Sequence, residues 1–504
     1  MKKSLYPILF LLLCCLNVQA QNVDDALLFS QTYYEGTGRS MAMGNATGAM
    51  GGDVTAMCIN PAGLGLYRSQ ELTFSTGLQH TFISSNYLDN RENELRGRVT
   101  VPNFGYVMSM QCSNYKPLRY FQLGISLTRT NDFNLRSSAT GLNPDNSMVD
   151  SYLQTISGID ELHNPGTYPG QYFADNFPYD LDLAWQTYLL DQYQDSLGHY
   201  FYDSPIPQGH VNQNDQLSST GRSEEWTFAL GSNFKDKFFL GSSVGLSHIK
   251  RISTRTYTET PGNPSAAGNQ FSSWNHIEEL GDTAWGVNFK LGFIYYPVSW
   301  FRFGAAWHSR TLYGVGEDWG TETNATLTNN PNAGTHKYVS PSLYQTYEFR
   351  TPQTFVGSMA FFVGKRGLIT ADVEYKDYGK SKFSSEVFSF EDTNNDIHDL
   401  LTSTCNFRLG TEWRVKQFFL RGGAAYYGSP YGLGHNYGSV KKLSAGIGYA
   451  TSDISHWDFA YEVTEVTSGY TPYQYYIDGV NVVPAVEQHK WRSKFVITLK
   501  IKVQ

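Results

Sequence analysis

From Glu71 onward the chain alternates apolar and polar positions with a period of two. Leu72, Phe74, Thr76, Leu78, His80 and Phe82 share one phase; Thr73, Ser75, Gly77, Gln79 and Thr81 share the other. Successive side chains of an extended strand point to opposite faces, so this is a strand with one greasy face and one small, polar face. The pattern recurs at Phe121, Leu123, Ile125 and Leu127, at Val287, Phe289, Leu291, Phe293 and Tyr295, and at Phe301, Phe303, Ala305 and Trp307. It closes with Trp491, Phe495, Ile497, Leu499, Ile501 and Val503 opposing Arg492, Lys494, Thr498, Lys500 and Lys502. About fourteen such segments occur, near 70–83, 99–111, 118–130, 224–234, 237–258, 273–296, 300–313, 344–363, 366–379, 401–415, 417–430, 439–452, 456–470 and 490–503. Each approaches or exceeds the ~9–11 residues with which a tilted strand crosses a bilayer.

Connection lengths then choose between architectures. Every second link is very short, such as Lys235-Asp236 or Pro297-Val298-Ser299, whereas the alternate links include Ser84 to Arg98, Gly314 to Leu343 and Asn131 to Ser223. Tight turns on one side and extended loops on the other are the habit of an outer-membrane barrel. Charge sets the orientation of the faces: Asp372, Glu374, Arg408, Glu412, Arg414, Arg421, Asp458, Glu462, Arg492 and Lys494 lie opposite Ile369, Val373, Phe407, Leu409, Trp413, Leu420, Phe459 and Phe495. An Arg or Lys on the lipid face costs about 2–4 kcal/mol at the midplane, so the charged phase belongs in the lumen. A soluble sheet with one solvated face would show the same alternation; the loop asymmetry favours the barrel. Within the longest loop, Met148, Tyr152, Leu153 and Ile156, and then Trp185, Tyr188 and Leu189, fall at helical spacing and predict short helices over the external mouth, packing the loop or receiving an apolar ligand.

The N-terminus adds a compartment. Lys2 and Lys3, an apolar run from Leu5 to Leu16 and the small-residue pattern Val18-Gln19-Ala20 read as a secretory signal over residues 1–20. The run is too short for a membrane helix, and no later stretch of 18 apolar residues exists. Cys58, Cys112 and Cys405 remain after cleavage, too few and too scattered for a disulfide framework or a metal site. A net charge of -8 without a basic run gives nucleic acid no footing. Aromatic residues at 15% and charged residues at 17% fit a wall with an oily outside.

Residues 21–69 have no place in a wall that starts at residue 70. Gly36, Gly38, Gly44, Gly48, Gly51, Gly52, Gly63 and Gly65 allow tight turns, and Pro61 fixes a bend after Asn60. The segment reads as a plug entering the lumen from the periplasmic side, or else as a flexible leader. The run "GTGRSMAMGNATGAMGGDVTAMCINPAGLG", followed by "GVNFKLGFIYYPVSWFRFGAAWHSRT", "TPQTFVGSMAFFVGKRGLITADVEYKDYG" and "CNFRLGTEWRVKQFFLRGGAAYYGSPYG", resembles the FadL/TodX outer-membrane transport proteins, in the Bacteroidetes-type branch labelled haemin receptors.

The resemblance implies an all-β fold, a fourteen-stranded transmembrane barrel over residues 70–504 with a large external loop at 131–223. It also implies a hatch over 21–69 that carries Asn60, Pro61, Ala62 and Gly63. Family members pass apolar substrates inward past the hatch and release them sideways through a gap made by an interrupted strand. Pro102, Gly105 and Gly124 are the candidates for such an interruption, ordinary strand irregularity being the other reading. The implied function is uptake of hydrophobic small molecules, such as long-chain fatty acids or aromatic hydrocarbons, by passive diffusion. The implied partners are that ligand, outer-membrane lipids and the barrel-assembly machinery, and the expected state is a monomer. No catalytic constellation, metal set or resident cofactor is read; haem binding through His163, His199 or His210 has only their loop positions for it. A surface or export scaffold and a lipid hydrolase are the competing classes, the latter without a visible nucleophile motif. The loops do not match characterised fatty acid transporters, and the chain ends Lys502-Val503-Gln504 where such barrels usually end on an aromatic residue.

Overall fold

The computed structural model describes residues 23–112, 117–163, 167–196, 198–265, 268–387, 389–432 and 438–503; the signal expected over 1–20 lies outside them. Fourteen strands make one closed antiparallel wall. They are β1 (Gln70–Tyr87), β2 (Asn90–Gln111), β3 (Leu118–Asp132, resuming as Leu135–Asn143), β4 (Val211–Phe234), β5 (Phe238–Pro261), β6 (Phe271–Val298), β7 (Phe301–His308, resuming as Leu312–Leu327), β8 (Leu343–Arg350, resuming as Thr354–Val363), β9 (Gly367–Asp377, resuming as Lys382–Ser384), β10 (Ser403–Val415), β11 (Phe418–Tyr427), β12 (Val440–Ala450), β13 (Ser455–Tyr470) and β14 (Val486–Val503). Closure comes from β1 pairing with β14, Gln70 opposite Val503 through Asn86 opposite Glu487. Closing the sheet removes the edges that a bilayer cannot hydrogen-bond.

The two faces separate by chemistry. Phe74, Leu78, Leu230, Leu291, Phe407, Leu409 and Leu443 are exposed on the outside. Trp300, Trp413, Tyr449 and Trp457 ring the short-turn rim, and Trp285, Tyr375 and Tyr426 stand further up, as in the aromatic girdles of bilayer-spanning barrels. Inside, charges meet in pairs across strands: Arg408 Nη1 lies 2.9 Å from Glu374 Oε2, Arg421 contacts Glu412 (2.7 Å) and Asp458 (2.6 Å), and Lys290 Nζ is 2.6 Å from Glu225. Arg414 is the exception, lying exposed near the short turn and donating from Nε to the Lys416 carbonyl, 3.2 Å.

The strands run further outward than the alternation predicts. The link expected at Ser84–Arg98 is a continuous hairpin that reverses at Leu88 and Asp89, both with positive φ. Likewise, β7 continues to Leu327, and β4 begins at Val211, taking in the last thirteen residues of what reads as loop. Past the oily belt neither face needs to be apolar, so the period-two signal fades although the ladder continues.

Four short helices, α1 (Met148–Ser157), α2 (Asp160–His163), α3 (Pro169–Asn176) and α4 (Leu181–Gln186), cap the external mouth. Tyr152, Ile156, Phe173, Leu181 and Leu189 pack on Phe271 and Trp274 of β6, so the helical spacing serves a local core. Helix α4 is shorter than its pattern suggests, because the chain leaves the helix at Thr187 and Tyr188 takes a φ of 57°. Ser147 and Asp150 form a reciprocal capping box at the start of α1. Burial raises the Asp150 carboxyl to about 6, against the lowering pull of the Ser147 backbone N–H. Because the folded form prefers the protonated acid, the cap should gain stability as pH falls from about 7 through 6 and lose it again as pH rises. Hydrogen exchange of α1, corrected for intrinsic rate, is expected to show several-fold more protection at pH 5 than at pH 7, with Asp150→Asn erasing the difference.

Candidate functional site: the lumenal segment and a gap in the wall

Inside the wall, the chain before β1 runs through the lumen and is almost entirely buried from Thr37 to Gly65. It starts as a helix, Val23–Ser30, whose Phe29 stacks near Phe349 (5.3 Å) and Tyr313 (6.2 Å) on β8 and β7. An extended stretch follows: the Tyr33 N–H donates to the Thr130 carbonyl at 2.7 Å, and the Glu35 N–H to the Arg129 carbonyl at 3.0 Å, on β3. The compact glycine-rich part comes last.

Inward-facing glycines seat that compact part. A side chain at Gly105 would meet Val54, at Gly124 Met57, at Gly231 Leu64, at Gly241 Pro61, at Gly292 and Gly304 Asn60, at Gly410 Met43, at Gly423 Gly44, and at Gly446 Ala42. These nine positions lie on β2 to β7 and β10 to β12, so the wall forms a belt without side chains where the segment fits. Three ion pairs add charge complementarity: Glu35 with Lys494 (2.7 Å), Asp53 with Lys500 (2.8 Å) and Arg39 with Glu412 (2.8 Å). Removing one member of a buried pair costs about 3–5 kcal/mol, so the seat is held by more than shape.

The four residues singled out around Asn60 fall at the centre of this contact. Asn60 Nδ2 donates to the Gly48 carbonyl (2.8 Å) and to the Phe293 carbonyl of β6 (3.2 Å), while its Oδ1 accepts from the Ala62 N–H at 3.2 Å. Pro61 takes the first position of the short 3-10 helix Pro61–Leu66, where its missing N–H has no partner to lose. Ala62 packs on Phe239 and Ile294, and the Gly63 carbonyl accepts the Gly52 N–H at 3.2 Å. Between the arm and the wall, Glu225, Lys290, His308 and Lys376 help line a polar chamber of about 50 Å³, room for a few waters.

The wall opens between β2 and β3. Along β1, β2 is paired from Val107 to Asn90, but along β3 only from Asn103 opposite Thr128 to Gln111 opposite Tyr120. Beyond Thr128, β3 stays with β4 and draws away, leaving the Asn90–Pro102 edge of β2 without a ladder partner among the described residues. Pro102 lies where the strands part, in a bulge that sets it and Val101 against Thr76; it has no N–H to offer a ladder. Gly105 and Gly124, read beside it as possible interruptions, sit instead in unbroken pairing, Gly105 with Ser126 and Gly124 with Val107 and Ala229.

A second break faces the first. At Asn131-Asp132-Phe133-Asn134, Asp132 Oδ1 accepts the Asn134 N–H (3.0 Å), an Asx turn that bends β3. Three turn-prone residues among four, Asn131, Asp132 and Asn134, are the sequence signal for this kink, at what the alternation reads as the start of a loop. Leu95 and Val99, 66% and 71% exposed, show that the outer face of the unpaired β2 edge is still oily. Arg98 pairs with Asp132 across the gap, and Arg96 Nη1 donates to the Leu135 (3.1 Å) and Ser219 (2.9 Å) carbonyls. The candidate haem ligands lie apart from this region: His163 uses both ring nitrogens on the Tyr200 and Ile156 carbonyls, and His199 contacts Asp195. His210 takes a positive φ in the loop before β4.

The lumen inside this closed wall holds the preceding segment, and the ladder between β2 and β3 breaks at Asn103 opposite Thr128. Over most of its length the chain superposes on solved proteins of the FadL/TodX kind, so it has the FadL/TodX fold. A FadL homologue of Pseudomonas aeruginosa matches at a TM-score of 0.55 and 12% identity, over 94% of this chain and 100% of that one. The Pseudomonas putida toluene transporter TodX matches at 0.52 and 14%, over 94% and 99%. No family model and no curated protein matches the sequence.

Proposed function

We propose that the protein is an outer-membrane channel that takes up hydrophobic small molecules, with residues 21–69 as its hatch and the β2–β3 gap as its sideways exit. The observation that carries this reading is the gap itself, which leaves a strand edge without a ladder partner beside the exposed apolar residues Leu95, Val99 and Val101. An apolar molecule leaving the lumen there enters lipid, a transfer favoured by roughly 25 cal/mol per Å² of apolar surface. The seated segment supports the reading as a closed state, since it occupies the lumen below the chamber. The solved proteins with this fold include a toluene transporter.

The test is uptake of labelled decanoate and toluene by cells with and without the gene. A several-fold slower initial rate in the deletion strain, restored by the intact gene, supports a channel. Unchanged uptake of every probe overturns it and leaves the helical external cap as a surface for a protein partner.

A further inference from the structure

Three neighbouring strands break at one level of the wall, and a cation stands at each break. Arg310 lies in the break of β7, Arg350 ends the first part of β8, and Lys382 starts the second part of β9. The Thr311 N–H donates to Thr351 Oγ1 (2.8 Å) and the Thr351 N–H to the Thr311 carbonyl (3.1 Å), so the breaks of β7 and β8 lie side by side. Next to them, Arg350 and Lys382 are direct ladder partners. Phe349 and Phe383, on the alternate phase, are buried against each other with rings 4.7 Å apart, so the two cations turn outward. Like charges directly opposite each other on adjacent strands repel. Their surroundings do not compensate: Arg350 has Glu348 of its own strand 3.6 Å away, Asp377 serves Lys380 at 3.2 Å, and Arg310 and Lys382 form no ion pair among the described residues.

Below these cations the outer face is concave. On β7, Gly304, Ala306 and His308 turn toward the lumenal segment, where His308 meets the Ile59 carbonyl at 2.9 Å, and Phe303, Ala305 and Trp307 therefore turn outward. The small Ala305 helps to floor a groove of about 600 Å³ walled by Leu240, Leu291, Phe293, Trp307 and Phe355. Trp307 and Phe355, ladder partners at its outer end, stand three residues from Arg310 and five from Arg350. Arg310 follows Trp300 of the short-turn rim by ten residues. At ~3.3 Å per residue and a tilt of ~40°, that is about 25 Å along the barrel axis, the height of the apolar band of such barrels.

We infer that this face is a binding site for a phosphorylated acyl lipid of the outer leaflet, its phosphate held among Arg310, Arg350 and Lys382 and an acyl chain lying in the groove beneath. The phosphate supplies acceptors to three cations at once and relieves the repulsion between Arg350 and Lys382, and a guanidinium offers it two parallel N–H donors. Trp307 donates its Nε1–H to Gln353 Oε1 at 3.0 Å, so the indole stands fixed between the charged and the oily part of the site. A comparable groove over Ala371 and Ala424 ends instead at Lys441, whose neighbour Glu465 is 4.0 Å away, and offers a phosphate no net charge. The site lies on the outside of the wall and is independent of whether the lumen conducts.

The test uses the full-length barrel in micelles of a neutral detergent and compares equilibrium binding of diphosphoryl lipid A with that of the same lipid after removal of both phosphates. Each cation close to a lipid phosphate contributes roughly fivefold in affinity, so the phosphorylated form is expected to bind at least about tenfold more tightly. The double variant Arg350→Gln, Lys382→Gln should bring the two forms within about threefold of each other. Glu348→Gln should tighten the phosphorylated form by removing the competing acid. Ala305→Phe, which fills the groove, should weaken both forms and leave their ratio unchanged. Heat-dependent gel mobility verifies that each variant has folded. Equal binding of the two forms by the wild-type barrel overturns the inference and leaves the cations to an acidic protein segment. A preference that survives the double variant places the phosphate elsewhere and overturns it as well.

Discussion

Deleting residues 23–66 should leave a barrel that still assembles and conducts ions in large, steady steps, where the intact protein passes little current. The wall ladder is complete without these residues, since β1 starts at Gln70 and closes on β14. What the deletion exposes is polar: Lys494, Lys500 and Glu412 lose their partners on the lumenal segment but face a lumen that water then fills. Solvated charges at such positions cost little compared with buried ones, and surface ion pairs are worth about 0–1 kcal/mol. Planar-bilayer recordings measure the conductance, and heat-dependent gel mobility measures assembly. A deletion protein that folds and remains silent would mean that the external cap, not the hatch, shuts the lumen. Filling one seat should act in the same direction: a leucine at Gly241 would overlap the Pro61 backbone and must displace the hatch.

Substituting Glu259 with alanine should release the external cap from the barrel. Its carboxylate, fully buried near the outer end of β5, accepts from Ser147 Oγ (2.6 Å), the Met148 N–H (2.9 Å), Tyr257 Oη (2.8 Å), Gln213 Nε2 (3.0 Å) and Trp274 Nε1 (3.0 Å). Two of these donors belong to the start of α1, so one side chain fastens the cap to two strands and positions a negative charge at a helix N-terminus, where it is favoured. Each donor left unpaired costs about 1–3 kcal/mol where water cannot reach it. Even with partial wetting at this outer site, several kcal/mol are lost. The loop from 144 to 210 contains no Lys or Arg but many aromatic residues, so chymotrypsin is the suitable probe. Cleavage there should accelerate by at least about tenfold, as a loss of 1.4 kcal/mol or more requires, while the barrel keeps its heat-dependent mobility. Unaltered cleavage would mean that the apolar contacts of Tyr152, Phe173 and Trp274 hold the cap by themselves.

How far the sequence could be read follows from what lipid demands. Within the oily belt each outward position must be apolar, so the fourteen strands and their order were visible as alternation. Outside it, Asn90 to Glu94 and Asn212 to Gln216 are polar on both faces, and their continued pairing became apparent only from the neighbouring strands. Glycine was misread for a related reason. Along an isolated strand Gly105 and Gly124 suggest weakness, but what matters is the facing Val54 and Met57, which need an empty seat. Asn60 was recognisable as part of a turn, yet its bond to the Phe293 carbonyl depends on a strand 233 positions away. The same holds for Glu35 and Lys494, 459 positions apart, which no local pattern could join. The missing N–H of Pro102 is a property of the residue itself, so the sequence alone offers that position as a candidate interruption.

Those distant partners also constrain the order of events in biogenesis. Glu35 and Asp53 leave translocation with the first strands, while Lys494 and Lys500 arrive on the last. Neither acid meets its lysine until the last strand is in place. Before the last strand arrives, the lumenal segment therefore lacks two of the ion pairs that fasten it to the wall.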